Sequence, residues 1–308
     1  MPVWGIVLLC LAGLLVLASL VLSVAMFRYA FLRKVRKRED SDYGAFQGTV
    51  DVGVRWFEAQ PFEELYETSF DGLRLYGRLL CAKEPRGTIV MMHGYHGDAL
   101  NDFAPEFQFC YERGYNLLVP DERTHGNSEG TYITFGVKER RDCAMWAAYA
   151  RERFGERLPI FLYGLSMGCA TVLMATELEL PENVRGVIAD CGFTEPWAIT
   201  AHVLRNMMHL PVFPTLYLAG VYTHILAGFG LHEQSAERAM KKNVLPVLFF
   251  HGTADDFVPL WMGQANYAAC RAEKTQVLVE GAAHAQSFLV EPERCLGALS
   301  RFLEQHTA

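Results

Sequence analysis

The sequence has no surplus of basic residues, no paired cysteines and no internal repeat. Its formal net charge is -7, and outside residues 28–40 the chain carries 22 basic against 33 acidic side chains. An acidic body argues against nucleic acid as a partner. The eight cysteines are scattered without a C-x-x-C pair. This pattern disfavours a disulfide framework or a zinc site and predicts free thiols in a reducing compartment.

Charged side chains are also absent from residues 3–27, a continuous apolar run. As a helix this run would span about 37 Å, enough to cross a bilayer core of about 30 Å. Six Lys and Arg residues follow within residues 28–40, and the positive-inside tendency then predicts that the C-terminal side is cytoplasmic. A cleaved signal peptide is the alternative, disfavoured because no Lys or Arg precedes the run. We therefore predict a single-pass membrane anchor at residues 1–27.

Strand patterns alternate with helical patterns in the rest of the chain. An Asp71-Gly72 turn predicts an opening hairpin. We expect later strands at residues 88–92, 116–120, 160–163, 186–189, 244–250 and 276–279. We expect helices at residues 100–113, 137–154, 260–272 and 289–304. This order predicts an α/β fold with a mostly parallel, doubly wound sheet, an antiparallel edge and flanking helices.

One connection between these strands is too long for a single crossover helix. It covers about residues 193–240 and is rich in Trp, Phe, Met, Leu and Pro. We predict that it forms a helical lid over the carboxyl edge of the sheet. The expected domains are therefore the anchor, a basic juxtamembrane segment and connector at residues 28–64, and one catalytic domain at residues 65–308 that includes the lid.

Residues 158–176, LPIFLYGLSMGCATVLMAT, contain a strand, a G-x-S-x-G motif and a helix in that order. This context is typical of a nucleophile elbow, which exposes its serine, here Ser166, at the start of a helix. The turn is so tight that Gly164 and Gly168 approach neighbouring backbone, so both must be glycine. A strand-to-helix turn with a capping serine is the alternative. The pentapeptide by itself does not separate the two.

Three residues able to act together follow predicted strands: Ser166, Asp255 and His284. Because the carboxyl ends of parallel strands meet at one edge, we expect these side chains to converge. A serine hydroxyl needs a base to become a nucleophile, and the base needs a carboxylate to orient it. We predict Ser166 as the nucleophile, His284 as the base and Asp255 as the acid. Asp190 and Asp256 remain alternatives for the acid.

Four more motifs accompany the elbow in a fixed order. They are MMHGYHG at 91–97, DERTHGNSEG at 121–130, HGTADDFVP at 251–259 and GAAHAQSF at 281–288. With them the chain resembles the α/β-hydrolase superfamily from about residue 66 to its end. It is most similar to membrane-anchored, single-domain bacterial serine hydrolases distantly related to prolyl oligopeptidases. The resemblance implies an α/β-hydrolase fold with an eight-stranded type of sheet, and an oxyanion hole formed by the backbone N–H groups of Tyr95 and Met167.

These features predict a serine hydrolase that cleaves carboxylic esters through an acyl-enzyme, with no metal or other cofactor. The apolar lid and the anchor favour acyl or lipid-like substrates, and Trp197, Met207 and Phe213 are the lid residues that we expect to line the pocket. A peptidase or amidase of the same fold is the alternative, because His284 could also protonate a leaving amine. A non-catalytic, membrane-bound binding module is a second alternative, against which an intact triad argues.

Overall fold

The chain folds around an eight-stranded sheet with helices on both faces. The computed structural model describes residues 2–34 and 43–307. The strands are β1 (Glu63–Thr68), β2 (Arg74–Leu80), β3 (Gly87–Met92), β4 (Tyr115–Pro120), β5 (Ile160–Leu165), β6 (Val184–Asp190), β7 (Val247–Gly252) and β8 (Lys274–Val279). The strand order is β1-β2-β4-β3-β5-β6-β7-β8. β2 pairs antiparallel with β1 and β4, and the other neighbours pair parallel.

Helices connect these strands and cover the sheet. The α-helices are α1 (Val3–Phe31), α2 (Gln47–Glu58), α3 (Ala99–Asp102), α4 (Phe107–Glu112), α5 (Glu139–Phe154), α6 (Met167–Ala175), α7 (Pro196–His202), α8 (Thr215–Tyr222), α9 (Ala236–Met240), α10 (Leu260–Ala269), α11 (Ser287–Val290) and α12 (Pro292–Thr307). Alternate side chains of β5 enter two separate hydrophobic clusters, Ile160 and Leu162 in one, Phe161 and Tyr163 in the other. Since successive strand residues point to opposite faces, the sheet has a core on each face, as a doubly wound fold predicts.

Two helical regions differ from expectation. The expected connector at residues 28–64 contains α2, whose Val50, Val54 and Phe57 are buried and lie about one turn apart. The prediction of an uninterrupted helix at residues 100–113 is wrong, because the chain forms two helices, α3 and α4, with Pro105 between them. Proline lacks the N–H group that a helix interior requires, and its ring clashes with the preceding turn.

The N-terminal apolar run forms α1, which extends four residues beyond the expected end of the anchor at residue 27. Its 29 residues have a mean hydropathy of 2.9 over the most apolar stretch, none of which is buried against the rest of the chain. Within residues 2–34 and 43–307 it is the one helix that length and composition make able to cross a membrane. A signal sequence near the N-terminus has the same properties.

The last two turns of α1 differ from its exposed part, because they pack into the sheet domain. Their inward side chains are at most 5% exposed and are those of Met26, Phe27, Ala30 and Phe31. The carbonyl oxygen of Phe31 accepts a hydrogen bond from the N–H of Ile133 over 2.8 Å. Leu32 then forms an antiparallel bridge with Tyr132. The end of α1 is therefore part of the core of the sheet domain.

The long insertion is helical, as predicted. α7 and α8 each continue into a π-helical segment, Val203–Met207 and Thr223–Ala227. α8 packs along α1, and the Ser23 Oγ lies 3.5 Å from the hydroxyl of Tyr222. The insertion therefore connects the N-terminal helix to the carboxyl edge of the sheet.

Candidate active site

Ser166 lies in a strained turn between β5 and α6. Its φ of 55° and ψ of -110° are a combination that costs a non-glycine residue about 1–3 kcal/mol. A Cβ on Gly164 would lie 2.1 Å from the carbonyl oxygen of Gly168, and a Cβ on Gly168 would lie 1.8 Å from that of Met92. Both positions therefore require glycine, as the G-x-S-x-G pattern predicts. The surrounding backbone holds the serine at the start of α6.

A chain of hydrogen bonds joins Ser166, His284 and Asp255. The Nε2 of His284 lies 2.8 Å from the Ser166 Oγ, and its Nδ1 lies 2.7 Å from the Asp255 Oδ2. Because the carboxylate can only accept, Nδ1 carries the proton of the neutral imidazole and Nε2 is left to accept from the serine hydroxyl. The structure thus brings together the three side chains selected from the sequence. They come from the loops that follow β5, β7 and β8.

The Asp255 carboxylate is held by its own loop. Its Oδ1 accepts from the N–H groups of Phe257 and Val258 over 3.1 and 2.8 Å. The Nε2 of His251 lies 3.4 Å from the Asp255 Oδ2 and 2.8 Å from the carbonyl oxygen of Val258. Burial alone would favour the neutral acid, but the hydrogen bonds of His251 and His284 outweigh it and lower the pKa of Asp255 to about 2. The carboxylate therefore stays ionised at neutral pH.

The two alternative aspartates occupy different environments. Asp190 is buried at the end of β6, where its Oδ1 lies 3.4 Å from the Ser287 hydroxyl. Burial raises its pKa to about 6. Asp256 is exposed, and its backbone carbonyl oxygen lies 2.9 Å from a ring nitrogen of His202. Of these candidates, Asp255 is the one hydrogen-bonded to the imidazole of His284.

The loop after β3 lies against Ser166. A Cβ on Gly94 would lie 3.5 Å from the Ser166 Cβ, and Tyr95 lines the same cavity as Ser166. The N–H of Gly94 donates to the Asp102 Oδ2 over 2.8 Å, which secures the loop. Met167 is the first residue of α6, where backbone N–H groups have no acceptor within the helix. The two residues predicted to form an oxyanion hole therefore flank Ser166.

Buried histidines support this loop from behind. The His93 Nε2 accepts from the N–H of Glu122 over 2.9 Å, and the His125 Nε2 accepts from the N–H of His96 over 3.0 Å. Burial lowers the pKa of His125 well below its ordinary value. The ring is therefore neutral, as an accepting nitrogen requires. Together these contacts shape the backbone next to Tyr95.

One group of possible metal ligands in the described part of the chain overlaps the triad. The ligand atoms of Cys191, Asp255 and His284 lie within 4.8 Å of one another. Burial raises the pKa of the Cys191 thiol well above its ordinary value. The Nδ1 of His284 is already bonded to Asp255. The arrangement suits proton transfer better than metal binding.

A cavity opens beside Ser166. Apart from Ser166, its walls are formed by Met26, Tyr29, Ala30, Tyr95, Phe135, Phe193, Ile199, Thr200, Val203 and Phe257. Nearly all of these side chains are apolar, and three of them belong to α1. The cavity therefore suits a hydrocarbon group held next to the serine.

The structure places none of the three lid residues predicted to line the pocket in this cavity. Trp197 stacks on the ring of His232 at a centroid distance of 4.7 Å, while Met207 and Phe213 are 44% and 73% exposed. Apolar character alone does not reveal which side of a lid helix faces the site. The sequence analysis missed the lining residues of α1, because the membrane anchor predicted for this apolar run already explained their apolar character.

Known structures share this fold. The esterase Pf2001 of Pyrococcus furiosus superposes with a TM-score of 0.69 at 19% sequence identity, covering 90% of this chain and 99% of that one. The α/β hydrolase domain-containing protein 10 from mouse gives a TM-score of 0.59, also at 19% identity, covering 79% of this chain and 99% of that one. The protein thus has the α/β-hydrolase fold.

Sequence comparisons agree with the structural ones. A family model described as serine aminopeptidase, S33, matches residues 83–227, a segment that includes Ser166 and ends before Asp255. The uncharacterized protein YqkD of Bacillus subtilis is 27% identical over 299 residues, or 94% of this chain and 96% of that protein. The caffeoylshikimate esterase of Arabidopsis thaliana is 25% identical over 281 residues, or 80% and 82%. The chain is therefore similar to α/β hydrolases in both sequence and fold, which confirms the α/β-hydrolase resemblance noted in its motifs.

Proposed function

We propose that the protein is a serine esterase that cleaves carboxylic esters with an apolar acyl group through an acyl-enzyme intermediate. The observation that carries this proposal is the hydrogen-bonded series Ser166–His284–Asp255 at the edge of an apolar cavity. The strained backbone of Ser166 gives further support, because such strain persists mainly where a site requires it. The esterases among the related proteins support the same class of reaction.

The reaction follows from the roles proposed for these groups. His284 removes the Ser166 proton as Oγ attacks the ester carbonyl carbon, and Asp255 stabilises the imidazolium. The backbone N–H groups of Tyr95 and Met167 stabilise the oxyanion. His284 then gives the proton to the leaving alkoxide as the C–O bond breaks, which leaves the acyl group esterified to Ser166. Water, activated by His284, attacks this ester, releases the carboxylic acid and restores the serine.

An aminopeptidase is the second candidate, because the matching family model is described by that activity. An aminopeptidase must hold the ammonium group of its substrate, which favours a carboxylate in the pocket. Among the described residues, the walls of the cavity beside Ser166 contain no Asp or Glu. This lining favours an uncharged acyl group, so we place the ester reaction first.

We further propose that α1 holds the enzyme in a membrane, with the catalytic domain on the cytoplasmic side. The length and hydropathy of α1 support the anchor, and the Lys and Arg residues within residues 28–40 support the orientation. An anchored domain of this kind would meet substrates that partition into the lipid. A lipid-like ester is therefore the substrate class that we favour.

Activity-based labelling tests the reaction. The full-length protein in detergent micelles is treated with a fluorophosphonate probe and assayed with 4-nitrophenyl esters of graded chain length. We expect labelling and ester hydrolysis, both abolished in Ser166→Ala and retained in the control Ser300→Ala. Faster turnover of aminoacyl-naphthylamides than of any ester would favour the aminopeptidase. Wild-type protein that is neither labelled nor active on any substrate would favour a non-catalytic binding module.

A further inference from the structure

The cavity beside Ser166 has one wall that comes from the N-terminal helix. Met26, Tyr29 and Ala30 of α1 border it, and Met26 and Ala30 are each 4% exposed. The spacing of three and four residues places these side chains on one face of the helix. A helix that acts only as a tether has no need to reach the nucleophile. The contact therefore suggests a second role for α1.

The position of this wall is fixed by contacts on several sides. The ring of Phe27 lies 5.8 Å from that of Tyr132, and the ring of Phe31 lies 5.3 Å from that of Phe135. The hydroxyl of Tyr95 donates to the carbonyl oxygen of Ala30 over 3.0 Å. Backbone and aromatic contacts thus hold the end of α1 against the loops that surround Ser166. Met26 and Ala30 are accordingly held in the cavity wall by these contacts.

The chemistry of the cavity indicates what it binds. Besides the residues of α1, its walls include Phe193, Ile199 and Val203 of the lid and Phe257 beside the triad. These groups offer van der Waals contact and almost no hydrogen-bonding capacity, so a bound group gains free energy mainly by removing apolar surface from water. With the serine at its edge, the cavity matches the hydrocarbon part of an acyl group whose carbonyl carbon lies at Ser166.

We propose that the last two turns of α1 form one wall of an acyl-chain subsite, in which Met26 and Ala30 set the chain length that the enzyme accepts. The ligand class is an ester whose acyl group is a hydrocarbon chain. This inference rests on the esterase proposed above and deepens it. The helix then has two functions, because its exposed part lies in the bilayer while its buried end shapes the substrate pocket.

Variants of α1 test the subsite in the full-length protein in detergent micelles. Ala30→Phe fills the cavity, and we expect kcat/KM for 4-nitrophenyl dodecanoate to fall about tenfold or more, a larger loss than for the acetate. Met26→Ala enlarges the cavity, and we expect the ratio of dodecanoate to octanoate turnover to rise severalfold. Val24→Phe lies on the exposed face of α1 and serves as the control, with an unchanged profile.

The result that overturns the subsite is a chain-length profile that neither Ala30→Phe nor Met26→Ala alters. An equal loss on all esters in Ala30→Phe, combined with an unaltered profile in Met26→Ala, also overturns it. In both cases, labelling of the wild type by the fluorophosphonate probe would leave the esterase proposal intact. Absence of labelling and of ester turnover in the wild type would overturn both proposals together.

Discussion

The hydroxyl of Tyr95 donates a hydrogen bond to the backbone carbonyl oxygen of Ala30 over 3.0 Å. Ala30 lies in the last turn of α1, where the backbone carbonyl oxygens have no N–H partner within the helix. Tyr95, in the loop after β3, therefore supplies a hydrogen-bond donor for a carbonyl oxygen at the end of the N-terminal helix. In our proposal Tyr95 has two separate roles, since its side chain secures α1 while its backbone N–H serves the oxyanion.

Replacing Tyr95 by Phe separates these two roles. We expect the free energy of unfolding to fall by about 1 kcal/mol, because one hydrogen bond is lost. The fall in kcat for 4-nitrophenyl acetate should stay below about tenfold, since the backbone donor remains. Thermal unfolding in micelles and steady-state kinetics measure both. A loss of 10²–10³-fold, as expected when an oxyanion donor is removed, would assign the essential role to the hydroxyl instead.

Replacing Asp255 by Asn tests the proposed acid. The amide can no longer hold the His284 Nδ1–H in the orientation that leaves Nε2 free to accept, so we expect kcat to fall by about 10⁴-fold. Asp256→Asn is the matched control, because that neighbouring side chain is exposed. Steady-state ester hydrolysis compares the two. Similar losses in both variants, or a loss confined to Asp256→Asn, would reject Asp255 as the acid.

Replacing Gly168 by Ala tests the tightness of the elbow. The added Cβ would lie 1.8 Å from the carbonyl oxygen of Met92, so we expect destabilisation by about 1–3 kcal/mol or more and loss of probe labelling. Gly48→Ala is the control, because a Cβ at that position in α2 meets nothing within 4 Å. There we expect a gain of about 0.5–1 kcal/mol from helix propensity. Equal unfolding temperatures for the two variants would contradict the geometry.

Glu106 makes stability depend on pH. Its buried carboxyl accepts from the Tyr163 hydroxyl over 2.8 Å, and burial raises its pKa from 4.5 to about 8. Between these pH values the folded chain retains a proton that the unfolded chain releases, so stability is highest below the lower value and falls as the pH rises. We expect Glu106→Gln, which mimics the neutral acid, to weaken this fall between pH 5 and 8 by an amount on the order of a few kcal/mol.

Thermal unfolding of the full-length protein across this pH range measures the effect of Glu106. Glu182→Gln changes an exposed carboxylate and should follow the wild type. Several other buried carboxyls with raised pKa values, such as Asp190, add to the same trend, so the comparison depends on the difference in slope. Parallel slopes for Glu106→Gln and the wild type would show that Glu106 is ionised in the folded protein.

The outer face of the lid is expected to meet the bilayer. Ile225 and Leu226 follow α8, which packs along α1, and they are 70% and 54% exposed. Changing both to Ser removes apolar groups whose burial contributes about 1.5–3 kcal/mol each. In proteoliposomes we expect about a tenfold or greater loss of turnover for an ester embedded in the bilayer, without a comparable loss for soluble 4-nitrophenyl acetate.

The matched control for the lid face is Val244→Ser. Val244 is 85% exposed and precedes β7, so it lies at the amino edge of the sheet, opposite the site. The Val244→Ser substitution should leave the turnover of both esters unaltered. A proportional loss of both activities in the Ile225 and Leu226 variant would instead indicate damage to the catalytic domain.

Features that depend on residues close together in the sequence could be predicted from the sequence. The elbow at Ser166 requires Gly164 and Gly168 two residues away on either side, so its signature is complete within one segment of sequence. The succession of strands and helices along the chain, the helical lid and the apolar length of α1 likewise follow from local patterns. Even the error at residues 100–113 had a local signal, since Pro105 is sufficient to interrupt the helix.

The sequence alone therefore determined the α/β fold, the elbow and the candidates for a triad, because periodicity and turn geometry are properties of short segments. Only the tertiary structure decided that Asp255, and not Asp190, reaches His284, and that Ala30 rather than Phe213 borders the cavity. These outcomes depend on which side chains from distant segments come within hydrogen-bond or van der Waals distance. Packing of the whole chain sets those distances, and no local pattern records them.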